Sequence, residues 1–244
     1  VAIYDIALDS SAIQEIYAKR NNDYSPSFNH SFSEKGTYVW NIYATNNNSE
    51  TSRGYSNRTV TVAEGLDSCT NITTTGTYFL TQDVSSNRTC FRIAAENVTL
   101  DCGEHSISYA LKGINQSYGV HMTGQNALLK DCTVLDGNWS GEADRQGIYV
   151  NGAHGSTILN NFINTSNAQG IYTQIVNNVN ITSNVVHSNS SPGIIISTAS
   201  QDFILTNNSA SSGTSNALHV STYRSGGIIE DNSLRSTDAR GLYI

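Results

Sequence analysis

The sequence predicts an all-β protein in which a solenoid of stacked coils, built from short parallel strands, follows a small N-terminal β-sandwich. Three observations predict it. Nearly the same phrase recurs through the second half of the chain: GIYV at Gly147, GIYT at Gly170, GIII at Gly193, ALHV at Ala217 and GLYI at Gly241, in steps of 23, 23, 24 and 24 residues. Each unit is too short for two helices, alternates apolar and polar residues with period two, and is rich in β-branched residues, Asn, Ser and Gly. A single asparagine returns at a fixed place in each unit, at Asn161, Asn184, Asn208 and Asn232. A fixed period of this size is the signature of a solenoid, and a three-strand rung fits the length.

The chain has 244 residues and a net charge of −7, with 13 Lys plus Arg against 20 acidic residues. A nucleic-acid backbone is excluded as partner by the want of a basic face. No stretch is long and apolar enough for a membrane helix. The chain opens on Val1 and reads as a mature product or a fragment.

Residues 1–63 share no period with the rest. AIYDIAL (2–8) alternates like a strand, and GTYVWNIYATN with RTVTV reads as two consecutive antiparallel strands joined by a turn. A boundary near Ala63–Asp67 leads into a capping segment, about 64–95, and the coils continue to residue 244.

Within the coils, a glycine column reads Gly119, Gly147, Gly170, Gly193, Ala217 and Gly241, and a corner column reads Asp101, Asp131, Asn161, Asn184, Asn208 and Asn232. Three residues before each corner member stands an apolar residue: Val98, Leu128, Ile158, Ile181, Leu205 and Ile229. Stacked about 4.8 Å apart, the asparagine amides can bond along the axis, and Asn tolerates the left-handed backbone of a tight corner. The asparagine column is therefore expected to hold a corner from inside, not to bind a ligand.

This pattern resembles the right-handed parallel β-helix repeat proteins, the pectate-lyase-like family. Within it the chain is similar to prokaryotic, especially archaeal, cell-surface proteins, on CTNITTTGTYFLTQDVSSNRTC (69–90) followed by NVTLDCGEHSIS (97–108). The resemblance covers about residues 66–244, and it implies the fold. The GTYVWNIYATN and RTVTV pair resembles the last strands of immunoglobulin-like modules, with the opening strands of a sandwich missing.

Four cysteines, Cys69, Cys90, Cys102 and Cys132, make no CxxC pair. Cys102 and Cys132 each follow a corner residue on adjacent rungs, within the Cα separation a disulfide needs, and Cys69 with Cys90 brackets the capping segment. Free buried thiols are the competing reading. Twelve Asn-x-Ser/Thr sequons occur, about twice what the composition gives by chance. Glycosylation is expected at Asn29, Asn47, Asn57, Asn71, Asn87, Asn97, Asn115, Asn138, Asn164, Asn189 and Asn207; Asn180, beside the inward Ile181, is the weakest candidate. Paired cysteines with these sequons point to an exported, extracellular glycoprotein.

Polysaccharide lyases and hydrolases on this scaffold carry carboxylates, a base and often calcium on one strand face, and no such set is legible. The insertion Asp136–Arg145 comes nearest. Asp136, Glu142, Asp144 and Arg145 could take calcium or a uronic acid, with Trp139 on a sugar ring, but a polar surface loop explains the segment more simply. The six histidines show no ligand spacing, so neither metal nor cofactor is expected. One outward column is less bland: His121, Tyr149, Tyr172, Ile195, His219 and Tyr243 line up on one face as a candidate ligand or packing stripe. Such a line stacks sugars or packs a protein, while exposed tyrosine is also simply favourable on strands.

The expectation is an extracellular structural or adhesive surface protein, not an enzyme. Its partners would be copies of itself, joined head to tail through the sandwich lacking strands and the open final strand GLYI, and polysaccharide. A polysaccharide-binding or polysaccharide-degrading protein of lyase or epimerase type is the alternative.

Overall fold

The computed structural model describes residues 36–40, 43–45, 51–53, 58–62, 64–112, 116–137, 145–197, 199–221 and 226–244. The chain divides into two compact units, Val1–Ala63 and Glu64–Ile244. In the first unit Gly36–Trp40 pairs antiparallel with Arg58–Val62, and Tyr43–Thr45 pairs antiparallel with Thr51–Arg53. The segment expected as a plain connecting turn thus contains a second paired strand. AIYDIAL lies outside the described residues.

The second unit is a parallel β-solenoid of three sheets. Sheet A holds eight strands, Glu64–Leu66, Gly76–Leu80, Val98–Asp101, Leu128–Lys130, Thr157–Leu159, Asn180–Thr182, Ile204–Thr206 and Ile228–Glu230. Sheet B holds seven, Val84–Ser85, Ser106–Tyr109, Thr133–Asp136, Phe162–Thr165, Val185–Ser188, Ser209–Ser212 and Ser233–Ser236. Sheet C holds eight, Asn71–Ile72, Phe91–Ile93, Ser117–Met122, Arg145–Asn151, Gln169–Gln174, Ile194–Ile196, Leu218–Val220 and Leu242–Tyr243. The first turn passes from sheet A (Glu64–Leu66) to sheet C (Asn71–Ile72) without a sheet B strand; each later coil visits A, then B, then C, and the pairings between coils in these sheets are parallel.

Alternation within each strand fills the interior. Ile158, Ile181 and Leu205 stack from sheet A, Ile163, Val186 and Ala210 from sheet B, and Ile148, Ile171 and Ile194 from sheet C, all at most 1 % exposed. In the two earlier coils Leu100 and Leu129 fill the column of Ile158; Val98 is also buried, two places earlier in its strand, while Leu128 is not in the inward column. Leu128 faces outward, half-buried, while Leu129 pairs with Ile158.

The corner between sheets A and B shows why. The four asparagines form one line as expected. Asn184 Nδ2 donates to Asn208 Oδ1 at 3.0 Å and to Ile158 O at 2.9 Å, and Asn161 N and Nδ2 donate to Asn184 Oδ1 at 3.0 and 2.9 Å. The line continues upward through Cys132, whose N donates to Asn161 Oδ1, and not through Asp131. Asp131 stands one place earlier, beside Asn160, whose Nδ2 donates to its carboxylate at 2.6 Å. The left-handed backbone also belongs to that earlier place. Asp131, Asn160, Ser183, Asn207 and Asp231 have φ between 53° and 58°, while the ladder residues do not have positive φ. Two neighbouring residues therefore make each corner, the first bending the chain on the outside and the second bonding on the inside. The corner one coil before that of Asp131 differs again, because four residues (102–105) instead of two separate its strands, with Gly103 and Glu104 at positive φ.

The glycine column has a packing cause. Gly119, Gly147 and Gly170 lie inside sheet C strands at negative φ. A Cβ on Gly119 would stand 2.5 Å from Gly147 O, and one on Gly147 would stand 2.7 Å from Gly170 O. Close approach of consecutive coils, not turn geometry, requires the missing side chain.

Asn184→Leu would strand Asn161 N–H in the interior and remove the side-chain donor to Ile158 O, while Asn208 Oδ1 keeps only the Asn184 backbone N–H; a lost buried partner costs about 1–3 kcal/mol. The denaturation midpoint of this variant should fall clearly. Ile181→Asp should fall further, since it removes about 1.5–3 kcal/mol of apolar burial and buries a carboxylate. Urea titration of both variants against the parent checks the order; an unchanged midpoint for Asn184→Leu would contradict the ladder.

Candidate functional site

The outward column on sheet C is assembled by strand pairing. His121 pairs with Tyr149, Tyr149 with Tyr172, Tyr172 with Ile195, Ile195 with His219, and His219 with Tyr243. The rings touch along the axis. His121 and Tyr149 stack with centroids 4.9 Å apart and planes 12° from parallel, and Tyr149 and Tyr172 stack at 5.4 Å and 10°. The Tyr149 ring is thus stacked between His121 on one side and Tyr172 on the other.

Their hydroxyls fix the tilt. Tyr149 Oη donates to Gln174 Oε1 at 2.6 Å and Tyr172 Oη bonds Ser197 Oγ at 3.2 Å, each reaching down to the next coil. Tyr172 thereby leans over Ile195, which is 7 % exposed although it points outward. Past that break, His219 and Tyr243 meet edge to face at 4.8 Å, and Arg240 lies 5.1 Å from the Tyr243 ring centre.

Amide side chains flank the rings. Gln146 Nε2 donates to Gln169 Oε1 at 2.9 Å on one side, and Gln174 holds Tyr149 on the other. The sheet C strands from Ser117 to Val220 contain no Asp, Glu or Lys and a single Arg, the buried Arg145. None of these strands contains a sequon asparagine.

At the upper end His121 sits between Tyr118 and Tyr149, with Arg92 paired to it from the preceding coil. Burial, and then the Arg92 charge, lower its pKa to about 4. Its Nε2 is buried with no hydrogen-bond partner.

A second polar ladder, which the repeat pattern did not reveal, turns the chain from sheet B into sheet C. Thr165, Ser188, Ser212 and Ser236 stack in one inward column. Ser212 Oγ donates to Ser191 O at 2.9 Å and accepts Ser215 N at 3.0 Å; Ser236 Oγ donates to Ser215 O and accepts Ala239 N. The signal was present as Ser188, Ser212 and Ser236 at intervals of 24 residues, hidden in a serine-rich background.

Asp136 stands in that same column on the coil that carries the insertion, and accepts Ser166 N at 3.0 Å. Arg145 is 1 % exposed at the head of its sheet C strand, and Tyr109, fully buried, has its pKa pushed well up by burial and by Asp136. The expected loop ligands are thus divided: Asp136 ties down backbone and Arg145 is interior, because the strand register turns it inward, while Trp139, Glu142 and Asp144 lie outside the described residues.

The disulfides are Cys69–Cys90 and Cys102–Cys132, with Cα separations of 4.6 and 4.7 Å, the spacing of adjacent coils. Asn71, Asn87, Asn97, Asn164, Asn189 and Asn207 are exposed, and Asn180 is half-buried with its Oδ1 taken by Thr182 Oγ1. Asn29, Asn47, Asn57, Asn115 and Asn138 lie outside the described residues. Asp101 and Asp131 both bond Lys130 on the outer corner; the hydrogen bond to Asp101 leads in raising the lysine pKa.

Residues 66–234 match the family model "Right handed beta helix region". The chain belongs to that family. Its coils wind right-handed accordingly. No curated protein matches. Among solved structures, the Dettilon tailspike protein (gp208) is similar, at 14 % identity and a TM-score of 0.43 over 70 % of this chain. The chain spans 38 % of the tailspike's length. No helix among the described residues is long and apolar enough to cross a membrane.

His121 gives the β-helix a pH signature. A histidine free in the unfolded chain titrates near 6.5, so between about pH 6.5 and 4 the unfolded state holds a proton that the folded state refuses. The stability contribution is therefore complete above pH 6.5 and lost as pH falls toward 4. Melting temperatures of the parent should decline across that window, and those of His121→Phe should decline less; equal slopes would show that His121 does not titrate as described.

Proposed function

We propose that the chain is the rod-like structural part of an extracellular surface protein, akin to archaeal cell-surface proteins of this fold, and that it is not an enzyme. The observation that carries the reading is the pair of disulfides on neighbouring coils, one in the core and one at the cap, in a chain whose described sequons other than Asn180 stand at the surface. Disulfides persist in oxidising compartments, and N-linked glycans require exposed asparagines. Occupied glycans at Asn71, Asn87, Asn97, Asn164, Asn189 and Asn207 would coat the cap, the turns, sheet B and the outer corner, and leave the later strands of sheet C bare. That face is then the adhesive surface of the rod. Polysaccharide fits it as a partner because amides, hydroxyls and aromatic rings line it.

Self-association belongs to the same reading. Copies of the chain joined head to tail, by strand addition to the immunoglobulin-like first unit, would build a filament or layer.

Protease shaving of intact source cells, followed by peptide mapping without reduction, tests the proposal. It expects peptides released from the cell surface, both cystine pairs intact, and glycan mass on the exposed sequons. Recovery of the native protein from the cell interior with free thiols and bare asparagines would overturn it.

A further inference from the structure

An outward column of sheet B reads Asn164, His187, Ser211 and Arg235, one residue per coil. The four strands that carry it, Phe162–Thr165, Val185–Ser188, Ser209–Ser212 and Ser233–Ser236, contain no acid. His187 and Arg235 are their only basic residues, and Ser211 stands between the two. In a chain of net charge −7 this is a local reversal of sign.

The imidazole is oriented by its neighbours. His187 Nδ1 bonds Ser211 Oγ at 2.6 Å, and the Phe162 ring meets the imidazole edge to face at 5.7 Å. Either neutral tautomer leaves this pair one donor to spare. With Nδ1 accepting from Ser211 the spare donor is Nε2–H; with Nδ1–H donating, it is the Ser211 O–H. The Arg235 guanidinium makes no ion pair among the described residues.

A groove of about 210 Å3 is lined by Ser211, Ser212, Gly213, Arg235 and Thr237. Pockets for organic ligands begin at roughly 300 Å3, so this one suits a small ion. Ser212 Oγ is engaged in the second ladder, and the backbone N–H groups of Gly213 and Thr237 donate to Ser188 O and Ser212 O. The groove therefore offers side-chain donors: the Arg235 fork, the spare donor of the His187–Ser211 pair and the Thr237 hydroxyl.

We infer that the groove binds a tetrahedral oxyanion, a sulfate or phosphate group, seated over Ser211 between His187 and Arg235. A guanidinium takes two oxygens of such a group through parallel N–H bonds, which leaves further oxygens for the other donors. A carboxylate has only two oxygens, which the guanidinium alone occupies. Two coil steps, about 10 Å, separate the backbones of His187 and Arg235. Ser211, in the step between, lines the groove with Arg235 and bonds His187. Asn164, a sequon of the surface reading, stands one coil beyond His187 on the side away from Ser211. The inference stands whether or not the chain is a surface protein.

NMR titration of the isotope-labelled, disulfide-bonded full chain with sulfate, phosphate, methyl phosphate and acetate tests it, with chloride holding the ionic strength constant. Sulfate or phosphate should move the His187 ring and Arg235 side-chain resonances along one saturable curve, and acetate should bind at least about tenfold more weakly. Methyl phosphate separates two sources of the group. Binding as tight as that of phosphate points to an ester on a larger molecule, and weaker binding points to the free ion; both support the site. Arg235→Gln should weaken binding about tenfold or more, Arg235→Lys should recover part of the loss, and Ser211→Ala should cost about threefold or more. These side chains are exposed or half-buried and point outward, so the melting temperatures of the variants should stay close to the parent's. Shifts that never saturate, shifts equally large at the exposed Arg88 and Arg240, acetate binding as tight as sulfate, or indifference to Arg235→Gln would each overturn the inference.

Discussion

In-register parallel stacking governs everything else in the β-helix. Each coil lies about 4.8 Å above the last, so every side chain meets the side chain at the same place in the next coil. A column is stable only if its residue tolerates its own copy. Asparagine does, because its amide both donates and accepts, and Asn161, Asn184, Asn208 and Asn232 pass one hydrogen bond down the line. Serine does for the same reason at the second corner, where Ser188, Ser212 and Ser236 each hold a turn. Acids do not, and the outer corner shows it: Asp101 and Asp131 need Lys130 between them.

The same rule explains where the covalent bonds fall. Cys102 and Cys132 occupy the inward column that asparagines fill further on, and the disulfide joins two coils at the distance the amides span by hydrogen bonds. The disulfide therefore continues the ladder at the end where the corner is lengthened to four residues and its geometry departs from the later coils. Chemistry changes along the column while spacing does not.

Outside the core the rule sorts faces by chemistry. From Ser117 to Val220 the sheet C strands repeat rings and amides, which stack and bond with their copies, and their only charged residue, Arg145, is buried. Charged residues collect on the corner and strand ends of sheets A and B, where ion pairs or solvent accommodate Asp101, Lys130 and Glu230. A ribbon whose polar groups are held by neighbouring coils is rigid, and rigidity suits both a structural rod and recognition of an extended polymer.

The sequence by itself determined the solenoid, its 23- or 24-residue step, the asparagine line from Asn161 to Asn232 and the outward stripe from His121 to Tyr243, because strict repetition makes contacts between coils readable as columns of letters. It misplaced the line at Asp101 and Asp131, since the acidic letter beside each cysteine mimics the asparagine and the lengthened corner (102–105) shifts the register by one. It also attributed the left-handed bend to the ladder residue, whereas the residue before it bends. Only the tertiary structure decided that Arg145 is interior, that serines form the second ladder, and that the sheet C rings stack with amides fixed beside them. Those facts depend on which way a side chain turns across a corner and on the tilt of a ring against its copy, and neither leaves a trace in the period of the sequence.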